Sequence, residues 1–151
     1  MTERKIMLDD AMGIIRESLA HGHNVTFSPR GTSMLPFLKE GRDTVTLSPP
    51  PKKLKKYDIP LYQRKNGQYV LHRVVRVGDT YTCIGDNQFV FENNVTDEQI
   101  IAVCSSFVRD GKQISAKDAK WRLFAIFWHY SRPVRRIYLG LRRRLSKIIK
   151  G

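Results

Sequence analysis

The sequence between Val25 and about Val108 consists of short apolar runs separated by turn signals, and this pattern restricts the fold more than any other feature. The runs are rich in β-branched and aromatic residues: V-T-F-S, D-T-V-T-L, I-P-L-Y, Q-Y-V-L-H-R-V-V-R-V, T-Y-T-C-I and I-I-A-V-C. Short runs of this composition between turns are typical of antiparallel strands. The sequence therefore predicts a mainly β body, with a hairpin turn at Asn66-Gly67.

Helical spacing of apolar residues flanks this body on both sides. From about Arg4 to Leu19 the apolar positions recur every three or four residues, and Gly22 ends the pattern. Helical spacing returns at about Ala116. We therefore predict three parts within a chain whose length suits one domain: an amphipathic helix in 1–24, a β body in 25–115 and a basic amphipathic helical tail in 116–151.

Positive charge is concentrated in the tail. The formal net charge is +13, and residues 119–151 contain ten Lys or Arg and no acid, which leaves +3 for residues 1–118. This distribution favours an anionic surface as the partner of the tail alone.

The cysteines and the N-terminal residues bear on the cellular compartment. Cys83 and Cys104 lie in apolar, strand-like runs without metal-ligand spacing, which favours buried free thiols, with a pair between them as the alternative. Acids near the N-terminus interrupt any apolar run, and the longest apolar run of the tail, L-F-A-I-F-W, is far below the roughly 20 residues of a spanning helix. We therefore expect a cytoplasmic protein without a signal peptide or spanning helix.

Ser33 lies in the stretch R-G-T-S-M-L-P-F-L-K-E-G-R-D, and its role depends on a partner elsewhere in the chain. A serine in a glycine-rich turn usually caps a helix or a turn. A nucleophilic serine needs a base within hydrogen-bond reach. His21 and His23 form an H-x-H pair without nearby carboxylates and are expected to be solvated. His72 lies within a strand-like run, where alternation places it on the same face as Val70 and Val74.

Five motifs in order then resemble the signal peptidase clan of serine proteases. They are Gly31-x-Ser33-Met34-x-Pro36, Gly41-Arg42-Asp43-x-Val45-x-Leu47, Tyr57-Asp58-Ile59-Pro60-Leu61-Tyr62, His72-Arg73-Val74-Val75 and Gly85-Asp86-Asn87. The resemblance covers about Phe27 to Val103 and implies a partly open β-barrel of antiparallel strands. It implies Ser33 as the nucleophile and His72 as the base, as in the endoplasmic-reticulum and archaeal type. The bacterial type has a lysine base at this position, and Lys65, beside the hairpin turn, is the nearest lysine of the chain.

The resemblance is less specific about the group that orients the histidine. In the histidine type the orienting acid lies six residues beyond the aspartate of the Gly-Asp-Asn box, which here is Glu92. A glutamate can orient an imidazole as an aspartate does. We prefer Glu92, and Asp86 is the alternative, otherwise expected to cap backbone amides in a turn.

The chain departs from the family pattern at two places. Gly31 stands where signal peptidases usually have a serine that helps to bind the oxyanion, although the related self-cleaving repressors also have glycine there. The oxyanion and substrate contacts are therefore expected from Thr32, Ser33 and Met34, and each backbone donor is worth about 3 kcal/mol in the transition state. The spanning helix that precedes Ser-Met in signal peptidases has no counterpart in the sequence.

The C-terminal helix provides a different way to reach a membrane. Val134, Ile137, Tyr138, Leu141, Leu145 and Ile148 follow helical spacing, with arginines and a lysine on the other face. We expect residues 119–151 to lie at an anionic membrane interface, with Trp121, Phe124 and Trp128 buried in the lipid. Truncation after Asp118 should then leave an intact body. A helix that packs on the body with a solvated basic face is an equal alternative, and nucleic acid ranks last.

These patterns together predict a serine endopeptidase that cleaves a leader or precursor peptide, without a metal or cofactor. The expected partner is an extended peptide or precursor protein, and activity should rise with pH through a midpoint near or somewhat above 6. A noncatalytic peptide-binding module of the same fold is one alternative. A self-cleaving repressor-like regulator is another, although no Ala-Gly or Cys-Gly pair precedes Ser33.

Overall fold

The computed structural model describes the backbone of residues 2–149 and the side chains of residues 11–142. It contains three α-helices and nine strands. The elements are α1 (Thr2–Ala20), β1 (Val25–Phe27), β2 (Asp43–Ser48), β3 (Pro60–Gln63), β4 (Tyr69–Leu71), β5 (Arg73–Val77), β6 (Tyr81–Ile84), β7 (Glu92–Val95), β8 (Ile100–Arg109), β9 (Lys112–Ser115), α2 (Ala119–Tyr130) and α3 (Arg132–Ile149). A single 3-10 turn, Asp97–Gln99, precedes β8. The mainly β prediction and the helices on both sides of the body are confirmed.

The first sheet is antiparallel and has the order β1-β2-β8-β3-β4, with β9 also paired to β8. The long strand β8 pairs with β2 on one side, where Asp43 lies opposite Arg109, and with β3 on the other, where Leu61 lies opposite Ala102. Strand β2 alternates buried and partly buried residues along its whole length. This alternation covers one face of the sheet with apolar side chains and so fixes its register.

The second sheet is a smaller antiparallel sheet with the order β5-β6-β7. The sequence predicted one strand over the run Q-Y-V-L-H-R-V-V-R-V. The structure instead has two strands there, and they belong to different sheets. Strand β4 ends the first sheet at Leu71, and β5 begins the second at Arg73. His72 is therefore the junction between the sheets, and alternation along a single strand does not determine its direction.

The predicted hairpin is confirmed at Asn66-Gly67. Strands β3 and β4 pair with Leu61 opposite Leu71 and Gln63 opposite Tyr69. Gly67 has a φ of 84°, a left-handed conformation that glycine adopts without steric cost. The side chain of Lys65 is exposed in this turn.

Each sheet has its own apolar core. Buried residues of the first core include Phe37, Val45, Leu47 and Phe107, with Met12 and Leu19 of α1 against them. The second core contains Leu54, Tyr62, Val74, Tyr81, Cys83 and Val95. Burial of such side chains contributes about 1.5–3 kcal/mol each. In agreement with the sequence, Cys83 and Cys104 are buried and free, and burial raises the pKa of each thiol to about 12.

The C-terminal helix packs on the body through the residues that we expected in the lipid, so that expectation was wrong. Trp121 and Phe124 contact the first core, and the ring of Phe37 lies 5.5 Å from Trp121 and 5.8 Å from Phe124. The indole N–H of Trp128 donates to the carbonyl of Asp86 at 2.8 Å. One face of α2 thus packs against the body, in agreement with the alternative prediction of a packed helix. The side chains of Leu145 and Ile148 lie outside the described residues.

Asp118 and Pro133 explain where α2 begins and ends. The Asp118 carboxylate accepts a hydrogen bond from the backbone N–H of Lys120, which caps the first turn. Pro133 has no N–H and its ring is incompatible with an undisturbed helix interior. The helical hydrogen bonds nevertheless continue across Ser131, from Ser131 N to Phe127 O and from Arg135 N to Ser131 O. Helices α2 and α3 are therefore two parts of one interrupted helix.

None of the helices in the described range is long and apolar enough to cross a membrane.

Candidate active site

Ser33 lies in the loop between β1 and β2, and buried charge fixes the end of that loop. The Asp43 carboxylate pairs with Arg42 at 2.7 Å and with Arg109 at 2.8 Å, and both guanidinium groups also donate to the carbonyl of Phe37. Burial raises the pKa of Asp43, but the two arginines outweigh this effect and lower it to about 2. The loop that carries Ser33 is thus tied to strands β2 and β8.

The Gly85-Asp86-Asn87 turn contacts the backbone of the Ser33 segment directly. Asn87 donates from its backbone N–H to the Ser33 carbonyl at 2.9 Å and from its side-chain amide to the Thr32 carbonyl at 3.3 Å. A Cβ atom on Gly85 would lie only 2.6 Å from the Ser33 carbonyl oxygen. Glycine is therefore required at position 85 because the two backbones approach so closely.

His72 is buried and its ring is oriented by a carboxylate. Its side chain has 2% exposure, and its Nδ1 lies 3.0 Å from Oε1 of Glu92. Because a carboxylate only accepts hydrogen bonds, this contact favours the tautomer with the proton on Nδ1. Nε2 is then the nitrogen with a free lone pair, as a general base requires.

Tyr62 and Arg64 hold Glu92 in place. The Tyr62 hydroxyl donates to Oε2 of Glu92 at 2.8 Å and lies 3.3 Å from Nδ1 of His72. Arg64 forms an ion pair with both oxygens of the same carboxylate. Burial raises the pKa of Glu92, but hydrogen bonds from Arg64 and Tyr62 lower it by more, so Glu92 is ionised at neutral pH. Both partners come from the β3 end of the hairpin.

Opposing effects act on the pKa of His72. Burial lowers it, the negative charge of Glu92 raises it and the positive charge of Arg64 lowers it. The net effect is a pKa below the ordinary histidine value of about 6.5. His72 is therefore neutral at pH 7 and able to accept a proton.

Asp86 has a different partner. Its position in a turn suggested that it caps backbone amides, but its carboxylate does not do so. Its carboxylate makes a bidentate pair with the guanidinium of Arg73, at 2.9 and 2.7 Å, and both side chains are buried. Arg73 also donates to the Tyr57 carbonyl and lies over the ring of Phe37 at 4.6 Å. Asp86 thus fixes the turn beside Ser33, and Glu92 is the carboxylate in contact with His72.

Gly85 connects the Ser33 segment with the strand pair that begins after His72. Strands β5 and β6 pair Arg73 with Ile84, and His72 directly precedes this pair in the sequence while Gly85 directly follows it. Gly85 in turn touches the Ser33 backbone. Within the range of described side chains, no hydrogen bond joins the Ser33 hydroxyl to the His72 ring. In unliganded enzymes such a bond is often long and shortens only when substrate binds.

Backbone N–H groups around Ser33 are available as hydrogen-bond donors. Among the described residues, the N–H groups of Thr32, Ser33 and Met34 have no hydrogen-bond acceptor, whereas that of Gly31 donates to Glu40 at 2.8 Å. Gly31 has a φ of 88° and is exposed, and no side chain of this position is available to an oxyanion. The free amides at 32–34 are suited to binding a developing oxyanion.

An apolar groove of about 820 Å³ begins at Ser33. Phe27 of β1 and Tyr69 of β4 both line it, although these strands are the two edges of the first sheet. The sheet therefore curves until its edges face each other across the groove. Met34, Leu38 and Leu61 also line the groove, together with Ala11, Met12 and Ile15 of α1. Exposed strand edges can pair with an extended peptide.

The other candidate residues lie away from this groove or in solvent. His21 and His23 are exposed at the end of α1, as expected, and the described residues contain no group of three or more His, Cys, Asp or Glu arranged to hold a metal ion. The sequence predicted no role for Tyr62 or Arg64 and did not predict the contacts of Arg73 and Trp128 with Asp86. Tyr62 is the last residue of the motif Tyr57-Asp58-Ile59-Pro60-Leu61-Tyr62, which ends within β3, so its place in that motif was the available signal.

Comparison of this chain with protein-family models, with curated proteins and with solved structures finds no match.

Proposed function

We propose that this protein is a serine endopeptidase of the signal peptidase type, which cleaves a leader or precursor peptide by acyl transfer. Two observations carry the proposal. Ser33 lines an apolar groove and its backbone is approached by Gly85. His72, which precedes the strand paired with the one that ends before Gly85, has its Nδ1 in contact with Glu92. The curved first sheet is, in this proposal, the partly open barrel of that family. It resembles the histidine type because His72, and not Lys65, has a carboxylate partner.

In the proposed reaction the Ser33 hydroxyl attacks the scissile carbonyl and His72 Nε2 takes its proton. The negative oxygen of the tetrahedral intermediate is bound by the free amides at 32–34. The imidazolium, stabilised by Glu92, then gives its proton to the leaving amine, and the C–N bond breaks. Water, activated by the neutral His72, hydrolyses the acyl-enzyme and restores Ser33. No step needs a metal or cofactor.

The substrate class follows from the shape of the groove. An extended peptide can add to the edges of β1 and β4, with its backbone hydrogen-bonded and alternate side chains in the apolar groove. We therefore propose a flexible, apolar segment of a precursor protein, processed in the cytoplasm near a membrane surface.

Labelling with a fluorophosphonate, which reacts with activated serines, tests the proposal. Ser28 is the matched control because it lines the same groove and is exposed, without a histidine partner. We expect one label per chain, at Ser33, lost in Ser33→Ala and in His72→Gln and retained in Ser28→Ala. Mass spectrometry of the labelled protein locates the site. If the wild type is not labelled but still binds an extended peptide, the protein is a noncatalytic binding module. The observation that favours this second candidate is the missing hydrogen bond between Ser33 and His72.

The pH dependence of cleavage should reflect the lowered pKa of His72. Only the neutral ring accepts a proton, so kcat/KM rises with pH as His72 loses its proton. Because burial lowers this pKa, the midpoint is expected below the ordinary value of about 6.5. A pH series of initial rates on one peptide measures the midpoint. An activity that rises only above pH 8 would instead indicate a lysine base.

Glu92→Gln and Asp86→Asn should separate orientation of the base from stability. Glu92→Gln removes the charge that raises the pKa of His72, so kcat is expected to fall by about 10²–10⁴ and the pH midpoint to move lower. Asp86→Asn leaves Arg73 buried without its charge partner, at a cost of about 3–5 kcal/mol in the free energy of unfolding. Rate profiles and urea unfolding of both variants measure the two effects. If Asp86→Asn instead lowers kcat and shifts the pH midpoint while Glu92→Gln does not, Asp86 is the orienting group.

A further inference from the structure

The outer face of α2 and α3 carries a continuous row of exposed apolar side chains. The row, called the apolar stripe below, consists of Leu123, Ile126, Phe127, Tyr130, Val134, Ile137, Tyr138 and Leu141. Six of these residues have exposed fractions between 62% and 70%. Large contiguous apolar patches are rare on proteins that have no partner surface.

The direction of the stripe is set by the packing of the opposite face. Trp121, Phe124 and Trp128 face the body, and Arg132 and Arg135 donate to the carbonyls of Gly85, Gln88 and Asp86. The members of the stripe recur every three or four residues on the other side of the same helix. Since hydrogen bonds continue across Ser131, the stripe is not interrupted where α2 meets α3. The body therefore cannot cover it without releasing the contacts of Trp128 and Arg132.

Charge decides which partner suits the stripe. Residues 119–151 contain ten basic residues and no acid, and Arg122, Arg136 and Arg142 are exposed beside the stripe. A second copy of the chain would bring ten more positive charges against these ten. An anionic lipid surface supplies both an apolar layer for the stripe and negative headgroups for the arginines.

We propose that the apolar stripe of α2–α3 is a docking surface for an anionic membrane. The helix lies in the plane of the interface, with Phe127 and Ile137 in the acyl layer and the flanking arginines at the headgroups. This surface differs from the one expected from the sequence, because Trp121, Phe124 and Trp128 are covered by the body. The inference does not depend on the proposed peptidase activity. Membrane attachment would, however, hold the Gly85–Gln88 turn and Ser33 at a fixed orientation to the lipid.

Co-sedimentation with vesicles tests the proposal on the full chain. The vesicles are phosphatidylcholine alone or phosphatidylcholine with about 30% phosphatidylglycerol, at low and high salt. We expect much stronger binding to the anionic vesicles than to phosphatidylcholine alone. Salt should reduce this binding without abolishing it, because burial of the stripe is not screened. The double variant Phe127→Glu/Ile137→Glu should bind these vesicles about tenfold more weakly or worse.

The matched control is Ile14→Glu/Val90→Glu, which makes the same charge change at exposed apolar residues of the body. This control should keep its affinity within about twofold, because neither residue belongs to the stripe. Equal losses in both double variants would show that net charge alone drives binding and would overturn the proposal. So would a wild type that ignores anionic vesicles but forms dimers that Phe127→Glu/Ile137→Glu dissociates, since a second copy would then cover the stripe.

Discussion

Replacing Ser33 or His72 with alanine is expected to lower kcat/KM for peptide cleavage by about 10⁴-fold or more. Ser33→Ala removes the nucleophile, and His72→Ala removes the group that takes its proton. The two losses should not add, because the residues act in one step. Cleavage of a proteome-derived peptide mixture, followed by mass spectrometry of the new termini, provides the assay when the natural substrate is unknown. Rates on one cleaved peptide then give the ratios.

Two controls separate chemistry from folding. Lys65→Ala should leave the rate unchanged, because this side chain is exposed in the hairpin turn. His72→Gln fills more of the buried space that His72→Ala leaves empty, so equal inactivity of both variants with an unchanged unfolding midpoint identifies a chemical role. Activity that survives His72→Ala and disappears with Lys65→Ala would mean that the base has been misassigned.

Truncation after Asp118 is expected to unfold the body, in contrast to what the sequence indicated. It removes Trp121, Phe124 and Trp128 from the first core and from the Asp86 carbonyl. Loss of a large buried aromatic side chain costs about 3–5 kcal/mol, and three partly buried ones together approach the whole stability of a typical domain, about 5–15 kcal/mol. Circular dichroism and thermal unfolding of the fragment measure the result.

Truncation after Gly140 is the matched control for the tail. It also removes basic residues, but every described contact between the C-terminal helix and the body involves Arg135 or earlier residues. This fragment should unfold at nearly the temperature of the full chain. A stable, cooperative fragment ending at Asp118 would contradict the role of α2 in the core.

The elements with strong local signals were predicted from the sequence, and the weak ones were not. Helix α1 has regular apolar spacing, and the β3–β4 hairpin has Asn66-Gly67 at its turn. Strands β7 and β9 were missed because E-N-N-V and K-Q-I-S lack an apolar alternation. They form because they hydrogen-bond to the edges of β6 and β8. This pairing depends on the tertiary structure and cannot be read from the local sequence.

The candidate site divides in the same way. Ser33, His72 and Glu92 were selected by motif order, and the contact between His72 and Glu92 agrees with that selection. Tyr62 and Arg64 were not selected, because only the hairpin geometry brings them to Glu92. For the tail, the sequence contains two apolar faces on one helix. It cannot show that Trp121 and Phe124 meet Phe37 and leave Phe127 exposed.

The position of His72 between the two sheets has a consequence for evolution and engineering of the site. Ser33, the proposed nucleophile, belongs to a loop of the first sheet, and Glu92, the carboxylate proposed to orient the base, begins β7 of the second. Reactivity is then a property of how two separately packed cores sit against each other. Substitutions in the second core, at Val74 or Val95, are therefore expected to change the position of His72 relative to Ser33 without changing either residue. If the proposed activity holds, its rate can be changed at many sites, most of them outside the groove.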